Sequence, residues 1–106
     1  MPKIKLCNAS EIHPGMHKVV KTEDGKELLI ANIKGEFFAI NNLCPHMGGP
    51  LNEGIMDGCL VSCPWHGWQF DIKTGDCPTN PGEVVSKAPL TVENGEIFTS
   101  IPDDWE

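Results

Sequence analysis

Three observations predict an all-β chain, an antiparallel β-sandwich or partly open barrel with one inserted cluster-binding subdomain. Strand-length apolar runs alternate with turn signals along the whole sequence. Lys-Gly and Asn-Gly pairs separate several of those runs at hairpin spacing. Helix formers never occur in sustained runs, and 11 Gly and 9 Pro punctuate the 106 residues every few positions. Hairpins at such close spacing belong to antiparallel sheets, not to a parallel one.

Ser10 to His13 can form one helical turn. Met16 to Val20 reads as a strand, and Asp24-Gly25 turns the chain. Leu28 to Ile33 is a β-rich run, Lys34-Gly35 reverses it, and Phe37 to Ile40 returns. Leu60 to Ser62 and Trp68 to Asp71 flank a second irregular stretch, after which Thr74-Gly75 turns again. Leu90 to Val92, Asn94-Gly95 and Ile97 to Thr99 form the strongest hairpin signal in the chain. The segment from about Asn42 to Gly82 interrupts this framework as one insertion. Within it, Pro78 and Pro81 are expected to stiffen a flap over the same tip.

Length allows one domain over residues 1–106, with one modest core. The N-terminal residues carry no apolar signal core, and no stretch approaches the roughly 18 apolar residues of a membrane span. Five Cys, an odd number, fit a reducing cytoplasm better than a secreted disulfide scaffold. Eight basic and 15 acidic residues give a formal charge of −7. That argues against binding nucleic acid and favours a basic patch on a protein partner.

The chemistry is concentrated in two clusters, Cys44-Pro45-His46 and, after sixteen intervening residues, Cys63-Pro64-Trp65-His66. Each arm supplies one thiolate and one imidazole. Two Cys and two His at this separation fit a [2Fe–2S] centre in which two His replace two Cys on one iron. Cys44 and Cys63 would then hold one iron, and His46 and His66 the other. Zinc also accepts two Cys and two His, but its sites usually keep like with like along the chain. A binuclear site instead needs each arm to reach both metals. Charge explains the mixture: four thiolates leave the oxidised cluster a dianion, whereas the mixed set leaves it neutral and easier to reduce. The difference reaches about 250 mV at the low end of the mixed range, roughly four decades in equilibrium constant. Gly48, Gly49 and Gly67 are expected to bring backbone amides close to the sulfides. Met47 and Leu51 are expected to shield the cluster from water.

Most of the chain resembles the Rieske family. The resemblance rests on Cys44-Pro45-His46-Met47-Gly48-Gly49-Pro50-Leu51, on Cys63-Pro64-Trp65-His66-Gly67-Trp68-Gln69-Phe70-Asp71, and on Thr74-Gly75. It implies one [2Fe–2S] cluster, imidazoles facing a redox partner, and a one-electron carrier with no catalysis of its own. Rieske proteins of respiratory and photosynthetic complexes carry an extra Cys in each loop, where this chain has Gly49 and Trp65. They also carry a Ser and a Tyr that raise the potential; here Trp68 stands at the Ser position and no Tyr is present. The resemblance is therefore to the low-potential branch, near −150 mV, roughly the bottom of the mixed-ligand range. Its size is similar to ferredoxins passing electrons from a flavin-dependent reductase to a ring-hydroxylating dioxygenase, or to small subunits of assimilatory nitrite reductases.

Other residues read more plainly. His13 and His17 are four apart, but Pro14-Gly15 opposes the helix that would align them on a second iron, so they read as solvated turn residues. Cys7, Cys59 and Cys77 read as small buried or unpaired thiols, with a Cys59–Cys77 disulfide the alternative. Trp65 and Trp68 either line the docking tip or pack inward. Trp105, in an acidic tail, is expected to fray.

Overall fold

The computed structural model describes residues 3–23, 25–44, 48–65, 67–101 and 105. Among the described residues ten strands appear in chain order: β1 Ile4–Asn8, β2 His17–Lys21, β3 Glu27–Ile33, β4 Glu36–Asn41, β5 Met56–Asp57, β6 Leu60–Ser62, β7 Gln69–Asp71, β8 Lys87–Ala88, β9 Leu90–Glu93 and β10 Glu96–Thr99. They make three sheets, ordered β1-β10-β9, β2-β3-β4-β8 and β5-β6-β7. Every pairing is antiparallel. This is the all-β architecture the turn spacing implies. No helix among the described residues is long and apolar enough to cross a membrane.

Strand β3 is the shared wall of two cores. Successive side chains of a strand point to opposite faces. Leu28 and Ile30 accordingly join Cys7, Ala39, Ala88 and Ile97 in one core. Leu29 and Ala31 join Ile40, Val61, Phe70 and Ile72 in the other. A strand buried on both sides cannot show polar alternation, which is why Leu28 to Ala31 reads as an unbroken apolar run. Its turn into β4 has Lys34 at φ 54° and Gly35 at φ 92°, the positive values that a two-residue hairpin needs. Asn94 at 53° and Gly95 at 76° repeat that turn between β9 and β10.

Several expectations need correction. The predicted Asp24-Gly25 turn falls partly outside the described residues, though Gly25 N–H donates to the Thr22 carbonyl at 3.0 Å. The helical turn is a 3-10 turn over Ala9–Glu11. Strand β1 lies outside the expected runs, and β5 and β8, of two residues each, are too short to show any period. His17 opens β2 and is not a turn residue, although it and His13 are both exposed. Trp105 does not fray: its indole N–H donates to the Lys87 carbonyl at 2.8 Å, and the ring packs on the β1–β10 side core.

Candidate metal centre

The two Cys arms are built on one frame. The Cys44 amide donates to the Gly49 carbonyl at 2.8 Å, and the Gly48 amide donates back to the Cys44 carbonyl at 2.7 Å. In the second arm the Cys63 amide donates to the Trp68 carbonyl at 2.8 Å, and Gly67 returns a bond to the Cys63 carbonyl at 2.9 Å. The next pairs outward also match: Leu43 bridges Pro50, and Ser62 pairs with Gln69. Each Cys thus opens a five-residue connection that closes on a glycine. Gly48 at φ 75° and Gly67 at φ 79° lie in the left-handed region, which a side chain disfavours. Their amides close the loops on the Cys carbonyls.

Supports for the two arms differ. The second is the tip of the regular β6–β7 hairpin. In the first, only the incoming leg is a strand, because the chain leaves through a 3-10 turn over Leu51–Glu53. Asn42 takes the place of the missing ladder. Its carbonyl accepts from the Leu51 amide at 2.6 Å, and its side-chain oxygen from the Asn52 amide at 2.9 Å. Its side-chain nitrogen donates to Asn52 Oδ1 at 2.8 Å and to Glu27 Oε1 at 3.2 Å. Asn42 is buried and has its polar atoms paired, as a buried amide requires. Nothing in the motif pointed to it; the only signal was a polar residue where an apolar run ends.

The arms also touch each other. A Cβ on Gly49 would lie 2.9 Å from the Trp65 ring and 3.2 Å from Cys63 Sγ. Cys44 and Cys63 are each 2% exposed and share one core with Cys77, Leu51 and Phe70. Two buried thiols at the tips of converging, matched loops suit a metal–sulfur group, which needs thiolates shielded from water. Leu51 is fully buried, as a shield should be; Met47 lies outside the described residues. So do His46 and His66, the two expected nitrogen donors.

No two of Cys7, Cys44, Cys59, Cys63 and Cys77 are joined in a disulfide, so the Cys59–Cys77 disulfide does not form. Burial is the first cause that pushes the Cys7 thiol above its ordinary pKa, with Glu11 adding to it. Cys7 is thus a neutral packing residue, as expected. The Pro78–Pro81 segment closes on itself, Asn80 N–H donating to the Cys77 carbonyl at 3.1 Å. Thr79 Oγ1 accepts from the Gln69 amide at 3.0 Å, tying that segment to the second arm. Trp68 packs on the core, whereas Trp65 is 60% exposed.

Residues 3–92 match the family model for the Rieske [2Fe-2S] domain. The chain is 38% identical over 100 residues to the ferredoxin component of the p-cumate 2,3-dioxygenase system of Pseudomonas putida, covering 92% of this chain and 85% of that one. Its structure is similar to the ferredoxin of Sphingomonas yanoikuyae B1, with a TM-score of 0.86 and 33% identity over 95% of this chain and 100% of the other. It is also similar to a chain in a complex of reduced oxygenase and oxidized ferredoxin in carbazole 1,9a-dioxygenase. There the TM-score is 0.85 and identity 28%, over 98% of this chain and 97% of that one.

Proposed function

The chain belongs to the Rieske [2Fe–2S] family, and on that premise we propose that Cys44 and Cys63 hold one iron of its cluster and His46 and His66 the other. A Rieske domain carries one [2Fe–2S] cluster per chain, which decides against zinc. The protein is an electron carrier and not itself an enzyme. When bound, the cluster supplies a one-electron couple. The chain's own residues fix the loops, shield the sulfurs and leave one end for a partner.

The donor in this reading is a flavin-dependent reductase, and the acceptor is the terminal oxygenase of a ring-hydroxylating dioxygenase. The observation that carries it is the 38% identity to a dioxygenase ferredoxin across 92% of the chain. A ferredoxin similar to this chain occurs in complex with its oxygenase, which supports the same acceptor. The five cysteines form no disulfide, which supports a cytoplasmic setting. Residues 1–106 are read as one domain, with the cluster-binding subdomain over about 42–82.

Reconstitution tests this. Reductases and terminal oxygenases of the same organism are combined with NADH and an aromatic substrate, with and without the loaded chain. At least one oxygenase should turn over only when the chain is present. If none does, or if a nitrite reductase co-purifies with the chain and is the protein reduced, the oxygenase reading is wrong.

A further inference from the structure

Large apolar side chains left in water are unevenly distributed over this molecule. Six described residues qualify: Met16, Leu43, Ile55, Trp65, Val84 and Val92. Four of them border the ligand arms. Leu43 and Val84 line a hollow beside Cys44 and Gly48. Ile55 and Trp65 line another, beside Cys63, Pro64 and Gly67. Scattered exposed apolar residues need no explanation, but a group at the functional end of a carrier marks a contact surface.

Ile55 is the most informative of them, at 75% exposed. Its carbonyl accepts from the Ser62 amide at 2.8 Å, so a fixed backbone holds the side chain outward. Trp65, 60% exposed, has one side of its ring against Gly49. An anchor whose backbone is already fixed, as Ile55's is, loses less freedom on binding, which raises its contribution. Among the described residues, the one charged residue lining the hollow of Ile55 and Trp65 is acidic, whereas Lys26 and Glu27 line the hollow beside Cys44. From residue 35 to 72 there is no Lys or Arg, while Glu36, Glu53, Asp57 and Asp71 are present. Glu53 lines the same hollow as Ile55 and Trp65.

We infer that Ile55 and Trp65 are the docking anchors for the terminal oxygenase, entering an apolar hollow on that protein that is bordered by Lys or Arg. The inference rests on the acceptor reading above and adds the source of its affinity. The acidic surroundings speed encounter, and burial of the two anchors sets how long the complex lasts.

The test uses the full, cluster-loaded chain and the oxygenase that reconstitution identifies as acceptor, both oxidised so that no electron moves. Wild type, Ile55→Asn, Trp65→Ala and Val92→Asn are titrated against it by calorimetry at about 50 and about 300 mM salt. None of these substitutions changes the net charge. Visible and paramagnetic spectra confirm that each variant holds its cluster, and Ile55→Asn, furthest into solvent, gives the cleanest reading. Ile55→Asn is expected to weaken binding about tenfold and Trp65→Ala more, through faster dissociation. Val92→Asn, on β9, should bind as wild type does. The ratio of variant to wild-type Kd should survive the rise in salt.

Wild-type binding by Ile55→Asn overturns the inference, as does a loss that disappears at high salt. A dimer of the chain alone that Ile55→Asn dissociates also overturns it, because the patch then belongs to a second copy. If no oxygenase accepts electrons, the acceptor reading has failed. If one does and Ile55 is indifferent, only the anchor inference has.

Discussion

The first and second ligand arms have the same inner hydrogen-bond frame but different foundations. Both close a five-residue turn from a Cys to a positive-φ glycine. The second arm stands on two paired strands, β6 and β7. The first stands on one strand and one buried amide, Asn42, whose side chain makes the bonds that a second strand would have made. Equal tips on unequal supports mean that the same class of substitution should act differently in the two arms. A ladder spreads its load over several backbone bonds, whereas a single side chain concentrates it.

The largest effects are those that ignore the difference. Cys44→Ser and Cys63→Ser should each abolish cluster assembly, because a neutral hydroxyl is a poor substitute for a thiolate. Iron and acid-labile sulfide, measured after anaerobic reconstitution, should both be near zero for either variant. A normally loaded variant would remove that Cys from the ligand set.

Next comes the place where the two foundations meet. Gly54 follows the 3-10 turn that leaves the first arm, and a Cβ there would lie 1.6 Å from the Ser62 carbonyl oxygen of β6. No side-chain rotation relieves a clash with backbone. Gly54→Ala should therefore separate the arms and cost about 3 kcal/mol of stability, read by chemical denaturation. A loss under about 0.5 kcal/mol would show that the two arms are not in fact pressed together at this point.

Asn42→Ala distinguishes the arms most directly. It removes bonds to Asn52 and Glu27 and leaves the Asn52 amide without its acceptor, at a cost of about 2 kcal/mol. Its effect should fall on the first arm. Amide exchange should quicken at Cys44 and Leu51 while Cys63 and Gln69 keep wild-type protection. Uniform loosening of both arms would contradict the idea that each has its own support.

These particulars also show what could be read before the structure. Cys44, His46, Cys63 and His66 stand out because ligand chemistry restricts residue type and spacing together. The β3–β4 and β9–β10 hairpins stand out because their turns need positive φ, and Lys34-Gly35 and Asn94-Gly95 advertise it. Asn42 is illegible, since nothing local says that Asn52, ten residues on, will face it. Gly54 is illegible for the same reason: its necessity lies in what crosses it. Trp105 was misread because its partner, the Lys87 carbonyl, is 18 residues away in sequence. Local signals locate turns and ligands, whereas supports made by distant partners need the fold.

The smallest expected effect probes the contact between the arms. Gly49 has no positive φ requirement, and the nearest atoms that alanine there would meet are those of the Trp65 ring and Cys63 Sγ. The Trp65 ring is largely exposed and can swing outward, so Gly49→Ala should cost no more than about 1 kcal/mol. What should change is the ring: its near-ultraviolet dichroism and its fluorescence should shift while the visible spectrum of the cluster stays as in wild type. Because the ring is also a docking anchor, Gly49→Ala should weaken oxygenase binding although Trp65 is not itself substituted. If the ring signals and the binding both stay at wild-type values, the two arms are held by their separate foundations alone and the Gly49–Trp65 contact is incidental.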